Sequence, residues 1–316
     1  MRHDESLPPT PRRRPLRLAA AAALLCLGLA GCGDGGGTAA AQAGPSGGAA
    51  TTPPATPSPA PTKAAPSPSK SPTKSPSGPP SKAPSKTPPA PDGPLSGRTV
   101  VIDPGHNPAN HLHTAEINRQ VDIGTGHKEC DTTGTATNGG YAEAEFTLDV
   151  AHRLRTLLRD QGATVILTYD RDRAFGPCVD ERARIGNKAH ADAVVSIHAD
   201  GSAVGNRGFH VILPASVRGG GADTSKIVAP SRDLGTRIAG LFVRSTGSSP
   251  SNYIGGKTGL DVRKDLGGLN LSTVPKVFIE CGNMRDPEDA ALLTDPGWRQ
   301  KAAQGIADGI SSYLKG

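Results

Sequence analysis

Apolar residues in this chain come in short dense runs that stop at chemically useful residues. Val100-Val-Ile102 leads into Asp103-Pro-Gly-His106, a tight turn that presents one histidine. Ala193-Val-Val-Ser-Ile-His198 ends in a second histidine, and Pro275-Lys-Val-Phe-Ile-Glu280 ends in a glutamate. Bounded runs of this length read as buried strands, here over 98–103, 193–198 and 276–281, with two more expected at 163–168 and 209–213. Elsewhere the period changes. Phe146, Val150, Leu154 and Leu157 fall at steps of four, four and three, which predicts an amphipathic helix over 143–160, closed by Gly162. Further helices are expected at 180–190, 232–246 and 297–314. Strands alternating with helices predict an α/β fold, a mostly parallel twisted sheet with helices on both faces. In such open sheets ligands bind outside the C-terminal strand ends, where His106, His198 and Glu280 all stand.

The chain divides into three parts. Residues 1–31 carry Arg12, Arg13, Arg14 and Arg17, then an apolar run from Leu18 to Ala30. That run is too short to span a bilayer comfortably and has the length of a signal-peptide core. Leu29-Ala30-Gly31-Cys32 resembles a bacterial lipobox, which implies lipid on Cys32; an ordinary signal peptide or an uncleaved anchor is the alternative. The paired arginines match twin-arginine export poorly. Residues 32–95 are rich in Gly and Ala, then in Pro, Ser, Thr and Lys. With almost no large apolar residues, this stretch is expected to be a disordered linker. Residues 96–316, about 220 of them, suffice for one α/β domain with a substantial core.

Charge follows the same division. Of 35 Lys and Arg, ten precede residue 95 and 25 follow it; of 29 Asp and Glu, four precede and 25 follow. The net charge of +6 therefore belongs to the leader and linker. A formally neutral domain argues against a nucleic-acid partner.

Catalytic zinc sites commonly hold the metal with two histidines and a glutamate, leaving one position open. His106 and His198 supply the histidines. Glu143 and Glu145, at the start of the 143–160 helix, compete for the third place, and lying about 200° apart around the helix they cannot both face the metal. An acid in the first turn also has a simpler role, interaction with the helix dipole. Asp103 is expected to brace the turn or a histidine. The long loop 107–140 is expected to be functional, because structureless loops of this length usually are; its His111, His113 and His127 are read as loop residues, not ligands. Cys130 and Cys178 lie in loops of an exported chain and are expected to form a disulfide, with Cys281 a buried thiol.

These segments together resemble the zinc-dependent N-acetylmuramoyl-L-alanine amidases, peptidoglycan hydrolases. The resemblance covers residues 98–316. It rests on Val100–His106, Glu143–Leu148, Gly162–Thr168, Glu181-Arg182 with Gly186-Asn187, Ala191–Ala199, Gly208-Phe209, Val274–Asn283 and Asp286–Asp289. It implies Zn2+ held by His106, Glu143 and His198, the family's Glu-x-x-apolar-x-Leu pattern selecting Glu143 over Glu145. It also implies Glu280 as the catalytic residue and peptidoglycan as substrate. Asn107-Pro108 and Tyr169 depart from the family's usual glycine-rich stretch and arginine, which leaves the shape of the substrate groove open. A monomer is expected, anchored through Cys32 on the outer face of the cytoplasmic membrane, facing the wall. The alternatives are another zinc hydrolase of the wall, a peptidase or deacetylase, and a non-catalytic lipid-anchored wall-binding protein.

Overall fold

Each predicted strand and helix of the domain has a counterpart in the computed structural model, which describes residues 92–316. The signal peptide, Cys32 and nearly all of the linker lie outside the described residues. In chain order the elements are β1 (Thr99–Pro104), α1 (Thr114–Ile117), β2 (Gln120–Asp122), β3 (His127–Glu129), α2 (Glu143–Asp160), β4 (Thr164–Leu167), α3 (Val179–Lys188), β5 (Ala193–Asp200), β6 (His210–Pro214), β7 (Arg218–Gly219), β8 (Ala222–Asp223), α4 (Val228–Thr246), β9 (Leu260–Arg263), α5 (Gly267–Asn270), β10 (Lys276–Asn283), α6 (Pro287–Thr294) and α7 (Pro296–Lys315). Six strands form the central sheet in the order β4-β1-β5-β10-β6-β9. The first four run parallel; β6 is antiparallel to β10, and β9 follows β6.

Side chains alternate across a strand, and the alternation sorts this sheet into two unlike faces. Val100, Ile102, Val195, Ile197, Val277 and Ile279 are fully buried and join one large apolar core with residues of α2, α4 and α7. Phe146, Val150, Leu154 and Leu158 line α2 on that side, so the helix turns its full stripe at steps of four; Leu157, expected to close the stripe, is only partly buried. Helices α4 and α7 approach closely: a Cβ at Gly309 would lie 2.5 Å from the Cα of Ile238. The opposite face is covered by the shorter α3 and α5. Its apolar cluster is small, centred on Val101, Ala191 and Val194.

Helix ends follow local chemistry. Asp286 accepts from the N–H groups of Glu288 and Asp289, with Pro287 next, and Asp295 caps α7 ahead of Pro296 in the same way. Gly247 closes α4 at φ 73°, the left-handed conformation glycine adopts without cost.

Three expectations need correcting. The segment 107–140 is not structureless: it holds a 3-10 turn at Asn110–Leu112, α1 and the β2–β3 hairpin. These elements are three or four residues long, too short for periodicity to register. The folded part begins before residue 96, since Leu95 is wholly buried and donates its N–H to the Gln161 carbonyl at 2.8 Å. Strand β9, with only four residues and an uneven burial pattern, was not foreseen.

Candidate active site and metal centre

The catalytic-looking residues gather on the second face of the sheet, at the C-terminal ends of β1, β5 and β10. The register sets Glu280 of β10 beside His198 of β5, and Asp103 of β1 beside Ser196. His106 follows β1 and takes φ 61°, a left-handed conformation uncommon for a residue with a side chain. Glycine just before it is required by space: a Cβ on Gly105 would lie 2.3 Å from the His198 ring.

Glu143 stands at the first position of α2 and joins the two histidines. Its Oε2 lies 3.3 Å from His106 Nε2, and its Oε1 lies 2.8 Å from His198 Nδ1. Backbone N–H groups of Thr135 and Ala199 donate to the same carboxylate at 2.9 and 3.2 Å. Ligand atoms of His106, Glu143 and His198 all lie within 4.8 Å of one another, the one such group of three among the described residues. His106 Nδ1 meets Asp131 Oδ1 at 3.2 Å and the Thr132 carbonyl at 3.1 Å. Both are acceptors, so Nδ1 carries the hydrogen and Nε2 is left to face Glu143. With Nδ1 engaged, His106 Nε2 converges with His198 Nδ1 and the Glu143 carboxylate, and two nitrogens and a carboxylate are a donor set that suits zinc. The residues therefore fit the ion that the resemblance implies. A Cβ on Gly134 (φ 72°) would lie 2.7 Å from the His106 ring and 2.8 Å from Glu143 Oε2, so this loop glycine also shapes the centre.

Titration behaviour matches this crowding. Burial alone would push Glu143 up, but the facing His106 and His198 hold it well below the usual carboxylate range. Burial resists protonation of His106, yet the charge of Glu143 and the hydrogen bond to Asp131 outweigh it and raise the imidazole. His198 is lowered, mainly by burial. Glu280 is raised well above the glutamate range by burial, then by the charges of Glu143 and Asp200. Its Oε2 is shut from solvent and has no hydrogen-bond partner. Glu280 lines a groove of about 390 Å³ together with His106, Glu143 and His198. Phe278 stacks on His198 with ring centroids 3.9 Å apart and fixes the plane of that imidazole.

Asp103 touches no histidine. It is buried and accepts from Thr168 Oγ1 (2.7 Å), Ser196 Oγ (2.7 Å), Arg182 (2.9 Å) and Lys276 Nζ (3.0 Å). Burial would raise its pKa, but Lys276 and Arg182 hold it far below the usual range. It braces the turn through Arg182, which also donates to the carbonyls of Pro104 and His106. The residue that meets His106 is Asp131, from a loop segment whose role sequence reasoning missed. Glu145 points away and pairs with Arg171. His111 bonds to the Pro108 carbonyl and His113 to Glu116, while His127 is exposed on β3; none reaches the centre. Cys130 and Cys178 form a disulfide, and Cys281 is a buried thiol on the core face.

The model of the N-acetylmuramoyl-L-alanine amidase family matches residues 100–312. The chain belongs to that family. It is 41% identical over 221 residues to an N-acetylmuramoyl-L-alanine amidase of Mycobacterium tuberculosis, covering 70% of this chain and 88% of the relative. It is 27% identical to the amidase AmiA of Escherichia coli, over 69% of this chain and 76% of that protein. The crystal structure of the amidase from Mycobacterium smegmatis superposes with a TM-score of 0.64 at 42% identity, spanning 70% of this chain and 98% of that one. The family match falls on the α/β domain that carries the His–Glu–His group.

Proposed function

We propose that this amidase cleaves the amide bond joining the lactyl group of N-acetylmuramic acid to L-alanine of the peptidoglycan stem peptide, with zinc held by His106, Glu143 and His198. The observation that carries the reading is Glu143, whose two oxygens face one histidine each while Glu280 lines the same groove. Held by His106, Glu143 and His198, zinc would supply Lewis acidity, acidifying a water molecule and polarising the scissile carbonyl. Glu280 takes the proton of the attacking water and delivers it to the leaving amine. Its oxygen without a hydrogen-bond partner, in the groove shared with His106, Glu143 and His198, suits that role. Phe278 keeps the His198 ring in plane, and Arg182 holds the turn that aims His106.

The enzyme is proposed to work as a monomer on the outer face of the cytoplasmic membrane, anchored by lipid on Cys32. The Pro/Ser/Lys-rich linker would let a neutral catalytic domain reach nearby wall. A diacyl anchor gives stable attachment where a single chain would not.

Digestion of defined peptidoglycan followed by mass spectrometry tests the reaction. The expected products are intact stem peptides with a free L-alanine amine and glycans with a free lactyl carboxylate, absent after chelation. Fragments cut between amino acids, or deacetylated sugars with intact stems, would overturn the assignment in favour of a peptidase or a deacetylase.

A further inference from the structure

We propose that Asp131, held in place by the Cys130–Cys178 disulfide, is the positioning residue that aims His106 at the metal. The proposal rests on the reading of His106 as a zinc ligand.

Asp131 is buried, at 6% exposure, and all of its acceptor capacity is directed. Its Oδ1 meets His106 Nδ1 at 3.2 Å and accepts the Thr132 N–H at 2.8 Å. Its Oδ2 accepts from Asn110 Nδ2 and from Arg182, each at 3.0 Å. A carboxylate can only accept from an imidazole N–H, so Asp131, together with the Thr132 carbonyl at 3.1 Å, favours the tautomer with hydrogen on Nδ1. The competing tautomer would place hydrogen on Nε2 and donate it to Glu143 Oε2, 3.3 Å away. That hydrogen would occupy the direction a metal needs.

What keeps Asp131 there is the neighbouring residue. Cys130 is bonded to Cys178, the residue that precedes α3, and Arg182 lies one turn into that helix. The Cys130 carbonyl also accepts the Val179 N–H at 2.7 Å. One helix start therefore grips the Asp131 segment three times, covalently through Cys178, by the Val179 N–H and by charge through Arg182. Apolar support is slight: the cluster around the disulfide buries only Val121 besides the two cysteines, with Phe175 and Val179 against it. Without the bond, little but polar contacts would hold the carboxylate against the imidazole.

The test uses the full chain. Zinc affinity is measured by chelator competition for wild type, Asp131→Ala, Asp131→Asn, the Cys130→Ser/Cys178→Ser pair and the combination of Asp131→Ala with that pair. Asp131→Ala and the cysteine pair are each expected to weaken zinc binding about 10–100-fold, the range for losing an outer-shell partner. The combination should weaken it no further than the stronger single change, because both act through one contact. Asn retains an acceptor oxygen and should recover most of the affinity. Reducing wild type with a phosphine should reproduce the cysteine pair. The visible spectrum of cobalt-loaded protein should shift in Asp131→Ala, which a merely structural role would not cause. Wild-type affinity in Asp131→Ala or in the reduced protein overturns the proposal, as do fully additive losses. If wild type binds zinc and Glu143→Ala does not, such a result sinks the positioning role alone. A wild type that binds no zinc overturns both readings.

Discussion

Val277 and Ile279 of β10 enter the apolar core, while Lys276, Phe278 and Glu280 of the same strand face the other way. The same split holds on β5, where Val195 and Ile197 oppose Ser196 and His198, and on β1, where Ile102 opposes Asp103. On the first face the side chains are apolar and under long helices, so volume and hydrophobicity largely decide what fits. On the second face the positions near the C-terminal strand ends are tied to named partners: Asp103 to two cations, His198 to Glu143 and Phe278, Glu280 to the groove. One face holds the fold and the other holds the chemistry, and a substitution should reveal which face it sits on by what it changes.

The largest effect is expected at Glu280. Glu280→Gln keeps shape and removes the base, so turnover should fall about 10²–10⁴-fold, the range for general acid–base catalysis. Zinc content and melting temperature should hold, because the carboxylate is costly to bury and makes no hydrogen bond through Oε2. Near-wild-type turnover in steady-state assays would remove Glu280 from the mechanism. Asp103 should behave differently although it shares that face. Asp103→Ala leaves the Lys276 ammonium buried without its acceptor, at a cost of about 3–5 kcal/mol. Chemical denaturation should show that loss, and activity should fall with it as the His106 turn loosens.

Acid sharpens the same contrast. Asp131 is lowered from the 3.8 of a free aspartate to about 2, its burial being outweighed by Arg182 and by hydrogen bonds from His106 and Asn110. A depressed folded-state pKa contributes stability that is present above the unfolded value and lost as pH falls through the folded one. The melting temperature should therefore drop between about pH 4 and pH 2, and the drop should be smaller in Asp131→Asn. An unchanged acid limb in that variant would contradict the pairing. The smallest effect lies one residue from Glu280 on the apolar face. Ile279→Val should cost about 0.5–1.5 kcal/mol and leave turnover of the folded enzyme unchanged. A large loss of turnover there would mean that the two faces are not separable.

The apolar face was the legible one. Dense runs marked β1, β5 and β10, and helical spacing marked α2 and α4, because burial repeats with a period. The ends of those runs also marked His106, His198 and Glu280. Glu143 and Glu145 could not be separated by the chain's own pattern, since both lie in one helix turn; the family pattern chose Glu143, and the fold turns Glu145 out to Arg171. Asp131 and Gly134 were not legible at all. They sit in a segment without periodicity, placed by a disulfide and by Arg182, a residue 51 positions away. The reversed direction of β6 was equally hidden, because alternation looks the same in either sense.

The measurement that tests the central claim most directly is the zinc content of four purified variants, His106→Ala, Glu143→Ala, His198→Ala and Glu145→Ala, against wild type. The account predicts about one equivalent in wild type and in Glu145→Ala, and a sharp loss in the other three, as expected when one of three protein ligands is removed. Full zinc in Glu143→Ala with loss in Glu145→Ala would contradict it, as would a wild-type protein that binds none.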